Sequence, residues 1–362
     1  MRAAVYLEKF SENFPDENGG FLTRLLSRTA QLYPGLEFIF ITSRPSGIKF
    51  TDEKNVMIVP VAPITNNSLL RKVWLDIKLP SVLRKYEANI FISDGFCSLR
   101  TKTPQYLMLT DYSSLIKQGS IKTKLPPYYK MAKSIICFSN FVKKEIVNKY
   151  GKDFSDLYVI PPAIEEIFAP LNETNKNKIK QELTDGFEYF IYTGELHAGK
   201  SLIDMLRAFS IFKKMQQSNM KLVLAGKITS TYKKLIGDLR TYQYRDAVII
   251  KNVASHQELV NLLGAAYALI LPSDDGLQLQ LLQAMRSGVP VVSISNPVAN
   301  EIAGDSVLYF NADDHSDLAA QMMHLYKDED IRKNLIEKAK KLAMPYSMDH
   351  SAKLLGQAIE EG

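Results

Sequence analysis

Hydrophobic positions along the chain fall into two alternating rhythms. Short apolar runs occur at Ala3 to Leu7, Leu36 to Thr42, Val56 to Val61, Ala88 to Ile92, Gln105 to Leu109, Ile135 to Phe138 and Tyr158 to Ile160. Their length and near-continuous apolar character are those of strands buried on both faces. Between them apolar residues recur at spacings of three and four. Phe21, Leu22, Leu25, Leu26, Thr29, Ala30 and Leu32 predict one helix, residues 68–86 a second, interrupted near Pro80, and Asn140 to Tyr150 a third. The polar loop from Lys9 ends in Asn18-Gly19-Gly20. Asn18 reads as a helix cap, and Gly19 and Gly20 as a glycine loop that lets the backbone approach a ligand at the helix amino end.

Pro161-Pro162 and the polar stretch Asn172 to Asp185 mark a change of composition, read as a linker with a short helix. A second series then opens at Tyr189 to Gly194. Helix Ser201 to Met215, strand Lys221 to Ala225, helix Tyr232 to Leu239, strand Val248 to Ile250 and helix Ser255 to Leu263 follow. Next come strands at Tyr267 to Pro272, Val291 to Ile294 and Val307 to Phe310, and helix Ser316 to Tyr326. Beyond Asp328 the pattern is helical, broken near Pro345. Strands alternating with helices predict an α/β chain with doubly wound, largely parallel sheets, in two similar halves.

Composition narrows the class. At 362 residues the chain exceeds one ordinary core, which favours two domains. Its hydrophobic share of 46% and charged share of 23% are those of a soluble globular protein. No apolar run approaches the roughly 20 residues of a membrane-spanning helix, and Met1 to Leu7 reads as a buried strand rather than a signal-peptide core. Cys97 and Cys137 sit in or beside strand-like runs, so buried free thiols in a reducing cytoplasm are expected. The histidines all lie at or beyond His197 without cysteine partners or ligand spacing, and no metal site is expected.

Charge is uneven. Up to Phe168 there are 23 Lys and Arg against 16 Asp and Glu, a net of +7, whereas the remainder carries −1. Between Lys117 and Lys149 eight lysines face one acid, Glu145. This is either a solvated surface or a basic face that meets an anionic partner, such as a phosphorylated acceptor or acidic lipid headgroups. No motif or aromatic-basic interleaving points to nucleic acid.

The candidate chemistry gathers on one stretch, Ser273-Asp274-Asp275-Gly276-Leu277-Gln278-Leu279-Gln280-Leu281-Leu282-Gln283-Ala284-Met285-Arg286-Ser287-Gly288-Val289-Pro290. It joins two strand-like runs, so its acidic, glycine-bearing turn falls at the carboxyl end of a strand, where open α/β sheets bind ligands. Asp275 and Gln283, eight residues apart, can share one helix face, and the intervening leucines read as core. Lys200 follows Gly199 at a helix start, a favourable place for an anion. Asp94 and Asp111 lie at strand ends of the first half, where turn formation explains them as well as ligand contact. Ser255 to Glu258 is a capping box, which makes His256 a helix-start residue.

With these residues in view, the chain resembles the retaining glycosyltransferases of the GT-B fold, glycosyltransferase family four. The likeness rests on Tyr192-Thr193-Gly194-Glu195-Leu196 leading to Lys200-Ser201-Leu202, on Lys221 to Gly226, and on the stretch above with its Gly288-Val289-Pro290-Val291. Asn296-Pro297 to Asp305, Ile135 to Phe141 and Val159 to Ile164 add to it. It implies two facing doubly wound domains with a cleft between them. The acceptor side would be residues 1–168, with a final helix at residues 347–360 packing back on it, and the donor domain residues 169–344. It also implies transfer of a sugar from a nucleotide diphosphate sugar to a glycan or lipid-linked acceptor, with no cofactor and no metal.

By the same resemblance Lys200 would hold the diphosphate beside Gly194 and Glu195, and Asp275 would contact the donor sugar. Gln283 would bond the ribose, and the backbone of Gly276, Leu277 and Gln278 would line the sugar and phosphate. Thr110-Asp111 stands where relatives carry a His-Asp pair near the transferred sugar. The departures cluster at these ligand-facing positions. Glu195 or Gly199 replaces an arginine, Asp275 and Gln283 replace glutamates, and Gln278 replaces a glycine whose absent Cβ would favour close approach. Gln280 replaces a proline, and Thr110 the histidine. Two readings follow: an active transferase with an unusual donor pocket, or a relative that binds a sugar nucleotide or partner protein without turnover. The expected location is cytoplasmic, with peripheral contact to an anionic inner membrane face through the basic first domain.

Overall fold

The computed structural model describes residues 1–7, 17–42, 53–61, 73–110, 129–150, 156–196, 199–227, 237, 239–273 and 276–361. The chain divides into two compact units, one of Met1–Ala163 with Met348–Gly362 and one of Ile164–Ser347.

Unit 1 is built on strands β1 (Arg2–Tyr6), β2 (Glu37–Thr42), β3 (Val56–Pro60), β4 (Ile90–Asp94), β5 (Gln105–Met108), β6 (Ser134–Cys137) and β7 (Asp156–Val159). They form a parallel sheet in the order β3-β2-β1-β4-β5-β6-β7. All residues of β5 and β6 are buried, which is why these runs lack a polar alternation.

Helix α1 spans Glu17–Leu32, so it begins before Asn18. Asn18 therefore does not cap it, and Gly19 and Gly20 lie inside its first turns rather than in a loop ahead of it. The buried stripe Phe21, Leu22, Leu25 and Leu26 offsets the roughly 1 kcal/mol that a glycine costs a helix. The expected break near Pro80 is also different in kind. A π-helical turn, Trp74–Lys78, runs straight into α2 (Leu79–Lys85), with the Leu79 N–H bonded to the Trp74 carbonyl. Proline supplies no N–H, and the wider turn ahead of it absorbs the mismatch without ending the helix. Trp74 thereby stays packed on Tyr6, with ring centroids 5.3 Å apart.

Helix α3 is Asn140–Tyr150. A terminal helix of unit 1, Met348–Glu361, lies against α1. Arg28 bridges Asp349 at 2.7 Å, and Gly356 meets the Tyr33 ring, which an added Cβ would approach to 2.1 Å.

Unit 2 opens with α4, Glu173–Thr184, the short helix expected in the polar stretch of residues 172–185. The Asn172 side chain caps it by accepting from the Asn175 N–H at 2.8 Å, and Asp185 closes it in the left-handed conformation. Its polar outer face is solvated while Thr184 is buried. Strands β8 (Tyr189–Thr193), β9 (Lys221–Gly226), β10 (Val248–Asn252), β11 (Ala268–Leu271), β12 (Val291–Ile294) and β13 (Leu308–Phe310) form a second parallel sheet, ordered β10-β9-β8-β11-β12-β13. Helices α5 (Lys200–Gln216), α6 (His256–Gly264), α7 (Leu279–Ser287), α8 (Pro297–Ala303), α9 (His315–Lys327) and α10 (Glu329–Ala343) complete it, with the terminal helix of unit 1 becoming α11. The expected helix from Tyr232 lies largely outside the described residues.

One face of this sheet packs Phe190, Tyr192, Leu222, Leu224 and Ile270 against Leu202, Phe209 and Phe212 of α5 and Leu318 and Met322 of α9. Alternation along the strands sends Ile191 and Thr193 to the other face, where α7 packs on β11 and β12. The Ser255 side chain accepts from the Glu258 N–H at 3.2 Å, and Glu258 accepts in turn from Ala254, so the cap is a real one. His256 sits beside Phe168 and 3.6 Å from Glu165, in a packing position.

Candidate functional site

The order of the second sheet fixes where a ligand can enter. The chain runs outward from β8 to β10, then returns to β11 on the other side of β8. Helix α5 leaves β8 on one face and α7 leaves β11 on the other, which opens a crevice at the carboxyl ends of β8 and β11. Of the sequence-predicted donor residues, Gly194 follows β8, Gly276, Leu277 and Gln278 lead into α7, Gln283 lies within α7, and Lys200 opens α5.

Two glycines let the strand ends come together. Gly194 has φ +143° and donates to the Ala225 carbonyl at 3.1 Å. A Cβ on Gly226 would lie 1.6 Å from the Gly194 oxygen, so that position admits no side chain without moving backbone. The Gln280 amide reaches over Gly194, within 3.2 Å of where a Cβ would stand. The Glu195 side chain is exposed, and its carbonyl accepts from the Tyr192 hydroxyl at 3.3 Å.

The turn into α7 holds two left-handed residues. Gly276 has φ +78°, and Gln278, the cap of α7, has φ +56°. Gln278 thus holds the left-handed conformation that glycine adopts freely, at a cost of roughly 1–2 kcal/mol for a side-chain-bearing residue. Gln278 is buried at 2% exposure, and Leu277 is buried beside it. Gln283 is 5% exposed, and its Oε1 has no hydrogen-bond partner. Thr193 Oγ1, on the α7 face of β8, is likewise buried and unpartnered. Buried polar atoms left unpaired cost about 1–3 kcal/mol each, and others of the kind occur elsewhere among the described residues, such as Trp74 Nε1. Among the described residues, the Gln283 acceptor and the Thr193 hydroxyl are thus buried polar atoms of α7 and β8 that no protein group satisfies.

Lys200 opens α5 behind Gly199, whose lack of a capping side chain leaves the helix amino end without one. Its ammonium is held at 2.7 Å by Asp313, and both side chains are about two-thirds exposed, at 66% and 68%. Asp313 is itself left-handed, with φ +63°. The pair stands at the mouth of a pocket of about 250 Å³ between the start of α5 and the loop entering α9. Asp204, Asp314 and His315 line its wall, and Pro272, Ile294 and Phe310 lie at the ends of β11, β12 and β13. Asp204 is neutralised by Arg207 at 3.0 Å, and Asp314 caps α9 through the Ser316 and Asp317 N–H groups. An exposed ion pair contributes about 0–1 kcal/mol, so a multiply charged anion can displace Asp313 from Lys200.

Of the remaining predicted site residues, Asp275 and Asp111 lie outside the described residues. Thr110 is half-buried just beyond β5, next to the buried Leu109. Gly19 and Gly20 belong to α1 of unit 1, as described above. The sequence reading missed Asp313 as the partner of Lys200, because nothing local marks a contact across more than a hundred residues. It also missed Thr193, which as a single hydroxyl in an apolar strand carries no pattern.

Comparison with known proteins agrees with this geometry. Residues 173–342 match the family model described as glycosyl transferases group 1. An O-antigen chain mannosyltransferase, RfbU, of Salmonella typhimurium is 24% identical over 249 residues, which is 68% of this chain and 65% of that one. The chain thus spans slightly under two thirds of that relative's length. Among solved structures, WaaG, a glycosyltransferase involved in lipopolysaccharide biosynthesis, superposes with a TM-score of 0.75 at 13% identity over all of both chains. HepE of Anabaena, solved with UDP-glucose, gives 0.75 at 12% identity over 99% of this chain and 100% of that one. Unit 2 is therefore similar to the group 1 glycosyl transferases over residues 173–342, and the two parallel-sheet units have the GT-B fold of these structures.

Proposed function

We propose that this chain is a glycosyltransferase that takes a sugar from a nucleotide diphosphate sugar held in unit 2 and transfers it, with retention, to a glycan or lipid-linked acceptor. The observation that carries the reading is the β8/β11 crevice within the stretch that matches the group 1 glycosyl transferase model. Close-approach glycines (Gly194, Gly226), a left-handed turn (Gly276, Gln278) and an unpartnered buried acceptor (Gln283) converge there. The O-antigen relative and the lipopolysaccharide structure support a role in polysaccharide assembly.

The departing nucleoside diphosphate gains negative charge as the sugar–oxygen bond breaks, so positive charge fixed beside it lowers the barrier. In this reading Lys200 and the amino end of α5 supply that charge, in place of a metal ion, once Asp313 lets go. The backbone N–H groups of Gly276, Leu277 and Gln278 face the sugar and phosphate. Gln283 Oε1 accepts a ribose hydroxyl, a task a neutral amide performs without the desolvation cost of a carboxylate. Asp275 receives donor sugar hydroxyls, and Thr110 with Asp111 stands near the transferred sugar, without the imidazole of relatives. Glu195 points away from the diphosphate, since a carboxylate about 4 Å from it would oppose binding by roughly 4 kcal/mol at an effective dielectric of 20. The proposed location is the cytoplasm, at the inner face of an anionic membrane.

Calorimetric titration with a panel of nucleotide sugars, followed by a transfer assay on glycan and lipid-linked acceptors, tests the proposal. Binding with slow donor hydrolysis in the absence of acceptor supports it. Failure of every nucleotide to bind refutes it.

A further inference from the structure

Three large aliphatic side chains of unit 1 are exposed side by side where solvent would ordinarily find polar groups. Val73 is 53% exposed, Ile77 57% and Leu99 50%. Val73 and Ile77 are four residues apart at the start of the π turn, on the side opposite Trp74 and Leu75, which are buried against the sheet. Leu99 is fastened to the same turn, because Asp76 Oδ1 accepts its N–H at 2.8 Å and the Ser98 hydroxyl at 3.3 Å. Gln105 closes the base of the Cys97–Arg100 loop by accepting from the Ser98 N–H at 2.7 Å and donating to its carbonyl at 2.8 Å. The patch is therefore presented by pinned backbone.

Three exposed cations flank it: Lys78 directly after Ile77, and Arg100 and Lys102 after Leu99. None of them pairs with a carboxylate among the described residues. Asp76, the acid of the same turn, accepts with its Oδ1 from the loop beneath. Aliphatic tips flanked by Lys and Arg that, among the described residues, pair with no carboxylate match the chemistry of a bilayer interface: acyl chains within, anionic headgroups around. Single exposed aliphatics need no explanation, but three adjoining ones with unpaired cations do.

We propose that Val73, Ile77 and Leu99, ringed by Lys78, Arg100 and Lys102, form a docking face for an anionic lipid bilayer. It gives the peripheral contact proposed above a definite place, separate from the lysines between Lys117 and Lys149. The face does not depend on nucleotide binding, so it stands or falls separately from the glycosyltransferase reading.

The test is co-sedimentation of the full chain with vesicles of phosphatidylglycerol and phosphatidylcholine, and with phosphatidylcholine alone, at low and high salt. Binding to the anionic vesicles, weakened by salt, is expected. Each of Lys78→Gln, Arg100→Gln and Lys102→Gln should lower the partition coefficient about fivefold. The triple variant Val73→Ser, Ile77→Ser, Leu99→Ser should lower it more than about tenfold with an unchanged melting curve, as all three side chains are exposed. A Lys143→Gln, Lys144→Gln variant should stay within about twofold of wild type for each of these changes to count. The proposal is overturned if the wild type ignores anionic vesicles, if phosphatidylcholine binds it equally, or if the serine and glutamine variants bind like wild type. It is also overturned if only the Lys143 and Lys144 changes abolish binding. Should the serine variant fail to fold, the three glutamine variants decide alone.

Discussion

Replacing Gly226 by alanine tests whether the crevice depends on the touching ends of β8 and β9. The added Cβ would lie 1.6 Å from the Gly194 oxygen, 2.7 Å from its carbon and 3.2 Å from its nitrogen. Ordinary contact begins near 3.4 Å, so something must retreat by close to 2 Å. No flexible side chain is available to do so, because all three atoms are backbone. Gly194 is tied to Ala225, and Gly226 is paired in register with Asn252. Overpacking a well-filled interior costs about 1–3 kcal/mol when side chains can adjust, and here they cannot, so about 3 kcal/mol or more is expected. For a unit of this size that lowers the melting temperature by about 6–12 °C. Gly35→Ala is the internal control, since its Cβ would meet nothing within 4 Å. It should melt within about 2 °C of wild type. Scanning calorimetry of both variants, with nucleotide titration at a temperature where each is folded, makes the comparison. Gly226→Ala melting like Gly35→Ala, with unchanged nucleotide affinity, would refute the close-approach argument.

Other consequences can be checked in the same preparations. Gln283→Leu removes a buried acceptor that has no partner; it should leave the melting temperature of the ligand-free protein unchanged or higher, while weakening nucleotide binding about tenfold. Equal affinity would remove Gln283 from the site. Asp313→Asn frees Lys200 from a 2.7 Å ion pair and should tighten nucleoside diphosphate binding about two- to fivefold, in line with the worth of an exposed pair; weaker binding would show that Asp313 positions Lys200 instead of competing for it. Burial pushes the thiols of Cys97 and Cys137 up to about 12. Thiolate, the reactive form, is therefore scarce at pH 8, and both should resist a disulfide reagent in the native protein yet react at once in denaturant.

The sheets were legible because parallel strands buried on both faces write themselves as unbroken apolar runs, and each described run became a strand within a residue or two. What escaped the sequence has physical causes. Helix α4 was expected only as a short helix in a linker, without bounds, since Thr184 alone of its residues is buried and the apolar stripe that marks most surface helices is missing. Gly19 and Gly20 looked like a loop because glycine is costly in a helix, yet packing of Phe21, Leu22 and Leu25 outweighs that preference. Pro80 looked like a break because the widened turn that accommodates it has no sequence signature. At the candidate site, the left-handed backbone of Gln278 was not legible, because a side-chain-bearing residue seldom adopts it. The Lys200–Asp313 pair links elements far apart in sequence, and no local pattern can show it.

The central claim, a nucleotide diphosphate bound beside Lys200 in unit 2, is tested most directly by titrating wild type and Lys200→Ala with a nucleoside diphosphate and the matching nucleoside. The account predicts that the variant loses about tenfold or more in affinity for the diphosphate, the worth of a charge-assisted contact, while its affinity for the nucleoside, which lacks phosphates, stays the same. Unchanged diphosphate affinity in Lys200→Ala would contradict it.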